Sequence, residues 1–150
     1  MKAVSVDSPK LPTVLLVDGS RNGSVARKQV LQEQGFAVVM VPNGEEALEV
    51  LQTNRIDLVI SDYRMPRMNG TELIRKIREC KPEMPVVLLS GWVSAYGLTE
   101  ESTGADLVLE KGPHEVAQMV RAVSRLLSRR SRRKPVARQA GPKRPGAKKA

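Results

Sequence analysis

The chain of 150 residues has one cysteine, one histidine and four aromatic side chains (Phe36, Tyr63, Trp92 and Tyr96). A lone Cys80 excludes an internal disulfide, and the residue is expected to be small, inert and partly buried. His114 falls at the start of the last helical stretch, where a solvated first-turn residue is expected rather than a donor or a metal ligand. With aromatics at 3%, any core has to be aliphatic. No apolar run approaches the ~18 residues of a membrane span, which argues against an integral membrane protein. Residues 1–7 lack the apolar stretch of ~7–15 residues that a secretory signal carries. A cytoplasmic protein without membrane contact is expected.

Acid is absent from one end. Residues 128–150 carry 10 Lys/Arg and no Asp/Glu, whereas residues 1–127 carry 15 Lys/Arg and all 16 Asp/Glu. The overall charge of +9 therefore belongs to a tail, and the remainder is nearly neutral. Three prolines (Pro135, Pro142 and Pro145), two glycines and one large apolar residue, Val136, leave that tail too little apolar surface to offset its ordering entropy. We expect a flexible arm over 1–12, one folded domain over 13–127, and a disordered basic tail over 128–150. Ten positive charges favour polyanions through counterion release, so nonspecific nucleic-acid contact through residues 128–150 is one expectation. Without aromatics to stack on bases, sequence-specific readout is unsupported.

What the middle of the chain does have is regular alternation. Short aliphatic runs occur at Val14–Val17, Phe36–Val41, Ile56–Ser61, Pro85–Ser90 and Ala105–Leu109. Between them lie helical stretches: Ser20–Gln34 with Val25, Ala26, Val30 and Leu31, then Glu45–Thr53, then a helix turning Leu73, Ile74 and Ile77 inward. Gly97 and several Ser/Thr make 94–103 at best a poor helix. Pro113 is expected at the first position of a last helix bearing Val116, Met119, Val120, Val123, Leu126 and Leu127. Ser20 reads as an N-cap and Gly35 as the residue ending the first helix. Unalternating strands, each followed by an amphipathic helix, predict an α/β fold with a parallel sheet covered on both faces.

In such sheets ligands bind beyond the carboxyl ends of the strands. Asp18 and Asp62 close the first and third strands, Ser90 the fourth, and Lys111 follows the fifth. Two convergent carboxylates suit a hard divalent cation such as Mg²⁺. A hydroxyl and an ammonium on the same edge suit a group that acquires phosphoryl charge.

These residues sit within recognisable motifs. Asp57 through Asp62 leads into Met65-Pro66-Arg67-Met68-Asn69-Gly70, and Val14-Leu15-Leu16-Val17-Asp18, Gly44-Glu45-Glu46-Ala47-Leu48, Pro85 through Ser90, and Gly104-Ala105-Asp106 with Lys111 complete the pattern. Residues 13–127 resemble the response-regulator receiver domain of two-component signalling. The resemblance implies a flavodoxin-like, doubly wound five-stranded sheet of order 2-1-3-4-5, the order for which this family's chemotaxis member is itself the standard illustration. It implies that Asp62 accepts a phosphoryl group from a sensor histidine kinase or phosphotransfer protein. Asp18, Asp62 and the Arg64 backbone carbonyl would hold Mg²⁺, and Lys111 would neutralise charge. Ser90 would bond the phosphoryl oxygens, reshaping the face made by the helix after the fourth strand, the fifth strand and the last helix. Gly91 would leave the site open, and Arg64 and Trp92 occupy positions that tune dephosphorylation.

Three departures stand out. Where the family carries two consecutive acids, this chain has Asp18-Gly19, which implies weaker Mg²⁺ binding. Val108 stands where an aromatic is common, so a rotamer switch there is excluded. Lys111-Gly112-Pro113 replaces Lys-Pro, leaving the geometry of these peptide bonds open. A phosphorylation-independent pseudo-receiver is therefore the rival reading, with a nucleic-acid-associated protein acting through the tail as another. An aspartate-nucleophile phosphohydrolase is disfavoured, since neither Asp62-Tyr63-Arg64 nor Asp18-Gly19-Ser20 has the second Asp that class requires. The chain is expected to be no enzyme beyond assisting its own phosphotransfer and dephosphorylation.

Overall fold

The computed structural model describes residues 11–140; residues 1–10 of the expected arm and 141–150 of the expected tail lie outside the described residues. Five strands, β1 (Thr13–Val17), β2 (Ala37–Val41), β3 (Leu58–Asp62), β4 (Val86–Ser90) and β5 (Leu107–Glu110), pair in parallel in the order β2-β1-β3-β4-β5. The helices are α1 (Arg21–Glu33), α2 (Gly44–Thr53), α3 (Gly70–Cys80), α4 (Val93–Tyr96), α5 (Glu100–Thr103) and α6 (Glu115–Ala140). The fold is the expected flavodoxin-like one.

The strands are continuously aliphatic because alternate residues feed two cores. Leu15, Val17, Val59, Val86 and Leu88 pack with Ala47 and Leu51 of α2 and Leu73, Ile74 and Ile77 of α3. Val14, Leu16, Leu58, Ile60, Val87 and Leu89 pack on the other side with Leu31 of α1 and Met119, Ala122, Val123 and Leu126 of α6. α3 begins with a reciprocal cap, in which Asn69 accepts from the Glu72 N–H and Glu72 accepts from the Asn69 N–H. No helix among the described residues is long and apolar enough to cross a membrane.

Several expectations need correction. Residues 94–103 form two short helices rather than one poor one, because Gly97 adopts a left-handed φ of 62° and Thr99 opens a new capping box. Residues 128–140 are helical rather than disordered. The buried Met119, Val123 and Leu126 nucleate α6, after which elongation through Arg, Lys, Ala and Gln costs little per residue. Pro135 interrupts one hydrogen bond of that helix without ending it. Arg130, beyond the expected domain boundary, donates from Nη1 to the Asp57 carbonyl at 2.6 Å. Pro113 lies in the turn before α6 rather than at its first position. Cys80 is exposed at the end of α3. On α1, Val25 is half-exposed and Ala26 exposed, while Ser24, Arg27 and Leu31 are buried, so the inward face is rotated from the one the apolar residues suggested.

Candidate functional site

The strand order puts the acidic tips side by side. Val17 of β1 is in register with Ser61 of β3, so Asp18 and Asp62, the next residue on each, meet at the carboxyl edge. Both are buried, as is Ser90. The Tyr63–Asn69 loop that follows β3 folds back on itself, so that Gly70 N–H donates to the Tyr63 carbonyl at 2.7 Å.

Lys111 reaches the pair from the solvent side, with Nζ 2.6 Å from Asp62 Oδ1. The contact is an ion pair off the hydrogen-bonding direction, since Asp62 Oδ1 has no aligned hydrogen-bond partner. Burial pushes the Asp62 carboxyl from an ordinary 3.8 up to about 7; the neighbouring Asp18 adds to that rise, and Lys111 opposes it. Ser90 Oγ accepts from the Trp92 N–H at 3.0 Å, and its carbonyl accepts from the Lys111 N–H at 2.9 Å. The Ser90 hydroxyl is thereby oriented with its own proton uncommitted, and the lysine's backbone is fixed to the same strand end. The Lys111-Gly112-Pro113 peptide bonds are trans, as are the others among the described residues.

The edge thus brings together Asp18, Asp62, Ser90 and Lys111, all anticipated from sequence. Arg64 stands in the loop two residues past Asp62, with its guanidinium 4.9 Å from the centre of the Trp92 ring. The Tyr63 and Tyr96 rings pack at a tilt, 5.3 Å between centres, and an open cleft of about 500 Å³ runs between Tyr63, Arg64, Met65, Pro66, Asn69 and Tyr96.

One site residue escaped the sequence reading. Arg27 of α1 is buried and pairs through Nη1 with Asp18 Oδ2. Its Nε and Nη2 lie 2.8 and 2.7 Å from Glu115 Oε2 at the start of α6. The available signal was its position four residues before the fully buried Leu31, which puts both on one helix face. The other Asp18 oxygen, Oδ1, accepts from the Ser20 N–H at 2.7 Å.

The donor chemistry fits a hard divalent cation. A buried acidic oxygen on Asp62 lacks a hydrogen bond, a second carboxylate adjoins it, and Mg²⁺ takes one or two carboxylates plus water and phosphate oxygens. No cluster of three or more His, Cys, Asp or Glu suited to a metal occurs among the described residues; the carboxylates that adjoin at this edge are those of Asp18 and Asp62.

Comparison with known proteins gives a consistent picture. A family profile described as the response regulator receiver domain, a signalling domain, matches residues 14–124. The response regulator MprA of a Mycobacterium species is 30% identical over 119 residues, covering 79% of this chain and 51% of that protein. The autoinducer 1 sensor kinase/phosphatase LuxN of Vibrio harveyi is 39% identical over 80 residues, 53% of this chain and 9% of that protein. The chain therefore spans about half the length, or less, of these curated relatives. Among solved structures, the response regulator TrrA of Thermotoga maritima, in complex with Mg²⁺-BeF, matches with a TM-score of 0.69 and 31% identity over 77% of this chain and 99% of that one. A CheY-like receiver domain from Methanospirillum hungatei, at 23% identity, shares the fold with a TM-score of 0.75 over 83% of this chain and 99% of that one.

Proposed function

The chain belongs to the response regulator receiver domain family, and from that premise we propose that Asp62 is its phosphoacceptor. An Asp62 oxygen would attack the phosphorus of a phosphohistidine on a sensor kinase or phosphotransfer protein. The O–P bond forms as the N–P bond breaks, and the imidazole leaves with the electron pair and takes up a proton. The observation that carries this reading is the buried Asp62 Oδ1, lacking a hydrogen bond yet 2.6 Å from Lys111 Nζ. Such an oxygen is desolvated and stands beside a cation able to offset incoming charge. The uncommitted proton of Ser90 is suited to a phosphoryl oxygen. Asp18, Asp62 and the Arg64 carbonyl would hold Mg²⁺, which supplies electrostatic shielding of the transferred group. Attack requires the ionised carboxylate, so labelling at a fixed Mg²⁺ concentration well below saturation should rise with pH through about 7.

Incubating the full chain with acetyl phosphate and Mg²⁺ should add ~80 Da on intact-mass analysis, and Asp62→Ala should abolish the adduct. A wild-type chain that gains no mass at saturating donor and high Mg²⁺ would turn the reading towards the phosphorylation-independent pseudo-receiver.

Gly19 supplies a second test. A Cβ there would find its nearest neighbours at 3.6 Å (Pro42 carbonyl) and 3.9 Å (Pro66 Cδ), ordinary contacts, so Gly19→Asp fits. Hard cations respond to ligand charge, and the Mg²⁺ concentration for half-maximal labelling should fall about tenfold. An unchanged requirement would show that the missing acid is not what limits the site.

A further inference from the structure

Arg27 is a charge where a helix should bury an aliphatic side chain. Its side chain is 7% exposed, and an arginine so enclosed is tolerated only when paired and hydrogen-bonded. Its partners are Asp18, at the tip of β1, and Glu115, at the start of α6. The groove that admits it is kept clear by Gly23, where a Cβ would stand 3.1 Å from Arg27 Nη1. The guanidinium and any divalent cation thus seek the same Asp18 oxygen. The remaining Asp18 oxygen accepts from the Ser20 amide, so each oxygen of that carboxylate has a resident donor and any cation would share it.

We propose that Arg27 is a positioning residue that acts through Asp18: it is a resident cation of the acidic pair, competing with the divalent ion for Asp18 Oδ2 and so setting the chain's cation requirement. The proposal rests on reading Asp18 and Asp62 as the cation site. Its consequence is a site with two barriers to metal, a carboxylate missing at Gly19 and a carboxylate occupied at Asp18. Glu115 belongs to the same device, because it shares the guanidinium charge and so weakens the hold on Asp18.

Binding of Mn²⁺ alone to the full-length protein, followed by electron paramagnetic resonance without any phosphodonor, tests this. Arg27→Met keeps similar bulk and removes the charge; Mn²⁺ should bind about tenfold more tightly, while Arg27→Lys, which restores a cation, should return towards wild-type affinity. A purely structural arginine would give the opposite result, since a displaced Asp18 loses affinity. Equal or weaker binding by a folded Arg27→Met protein, with folding checked by circular dichroism, overturns the proposal. Should that variant fail to fold, Glu115→Gln decides: it commits Arg27 wholly to Asp18 and removes a nearby negative charge, so Mn²⁺ should bind several-fold more weakly. Unchanged or tighter binding by Glu115→Gln overturns the proposal. Because metal occupancy is read directly, a chain that never accepts phosphate would sink the phosphoacceptor reading and leave this test standing.

Discussion

Asp62→Asn should stabilise the metal-free protein at pH 8 by about 2–4 kcal/mol and contribute little at pH 4. The Asp62 carboxyl is raised in the folded state from 3.8 to about 7. Below pH ~4 both folded and unfolded chains hold the proton, and the two variants are alike in charge. As pH rises from there to about 7, the unfolded chain releases the proton first, so the folded state loses stability, and above about 7 the loss is complete. An amide at this position never ionises and escapes that loss. Lys111, left unpaired in the variant, is 32% exposed along its side chain and regains water, so its lost pairing offsets only part of the gain. Urea unfolding of both proteins in EDTA at pH 5 and pH 8 provides the measurement. An equal gain at the two pH values would mean that the carboxyl is not held in this strained state. Mg²⁺ added at pH 8 should narrow the gap by stabilising the wild type alone. A buried carboxylate that destabilises its own fold is the kind of strain that a functional site sustains.

The sheet and its edge were legible because their signals are local. Runs such as Val14–Val17 and Val86–Leu89 are apolar at every position, which only a strand covered on both faces requires, and each ends in a polar side chain that the parallel topology sends to one edge. Arg27 was illegible for the opposite reason. A basic residue in an otherwise polar helix reads as part of a solvated face, and one of its partners, Glu115, lies 88 positions away, so the need to bury it appears only once α1 and α6 are packed together. The same offset explains the misplaced α1 face, where Val25 looked like core and Ser24 did not. The extension of α6 is not legible in residues 128–150 taken by themselves, because a helix already nucleated by Met119, Val123 and Leu126 elongates at lower cost than an isolated one. Cys80 was misjudged from residue type, whereas its place at the end of α3 decided its exposure.

Gly70→Ala should cost about 3 kcal/mol or more and abolish phosphoacceptor labelling along with it. A Cβ at position 70 would stand 2.5 Å from the Asp62 carbonyl oxygen, 2.6 Å from Leu88 Cδ1 and 3.0 Å from Tyr63 Cα. Two of these three atoms are backbone, so no rotamer change relieves the clash. Either α3 must withdraw, breaking the Gly70–Tyr63 hydrogen bond and the Asn69–Glu72 cap, or the tip of β3 must move and carry the Asp62 carboxylate with it. Gly91→Ala is the control, because nothing lies within 4 Å of a Cβ there, and its stability should stay within about 0.5 kcal/mol of wild type. Urea unfolding of the two variants beside intact-mass labelling separates the contributions. A Gly70→Ala protein as stable as Gly91→Ala would show that α3 slides freely on the sheet. In that case the glycine would not be what holds the helix close beneath the reactive carboxylate.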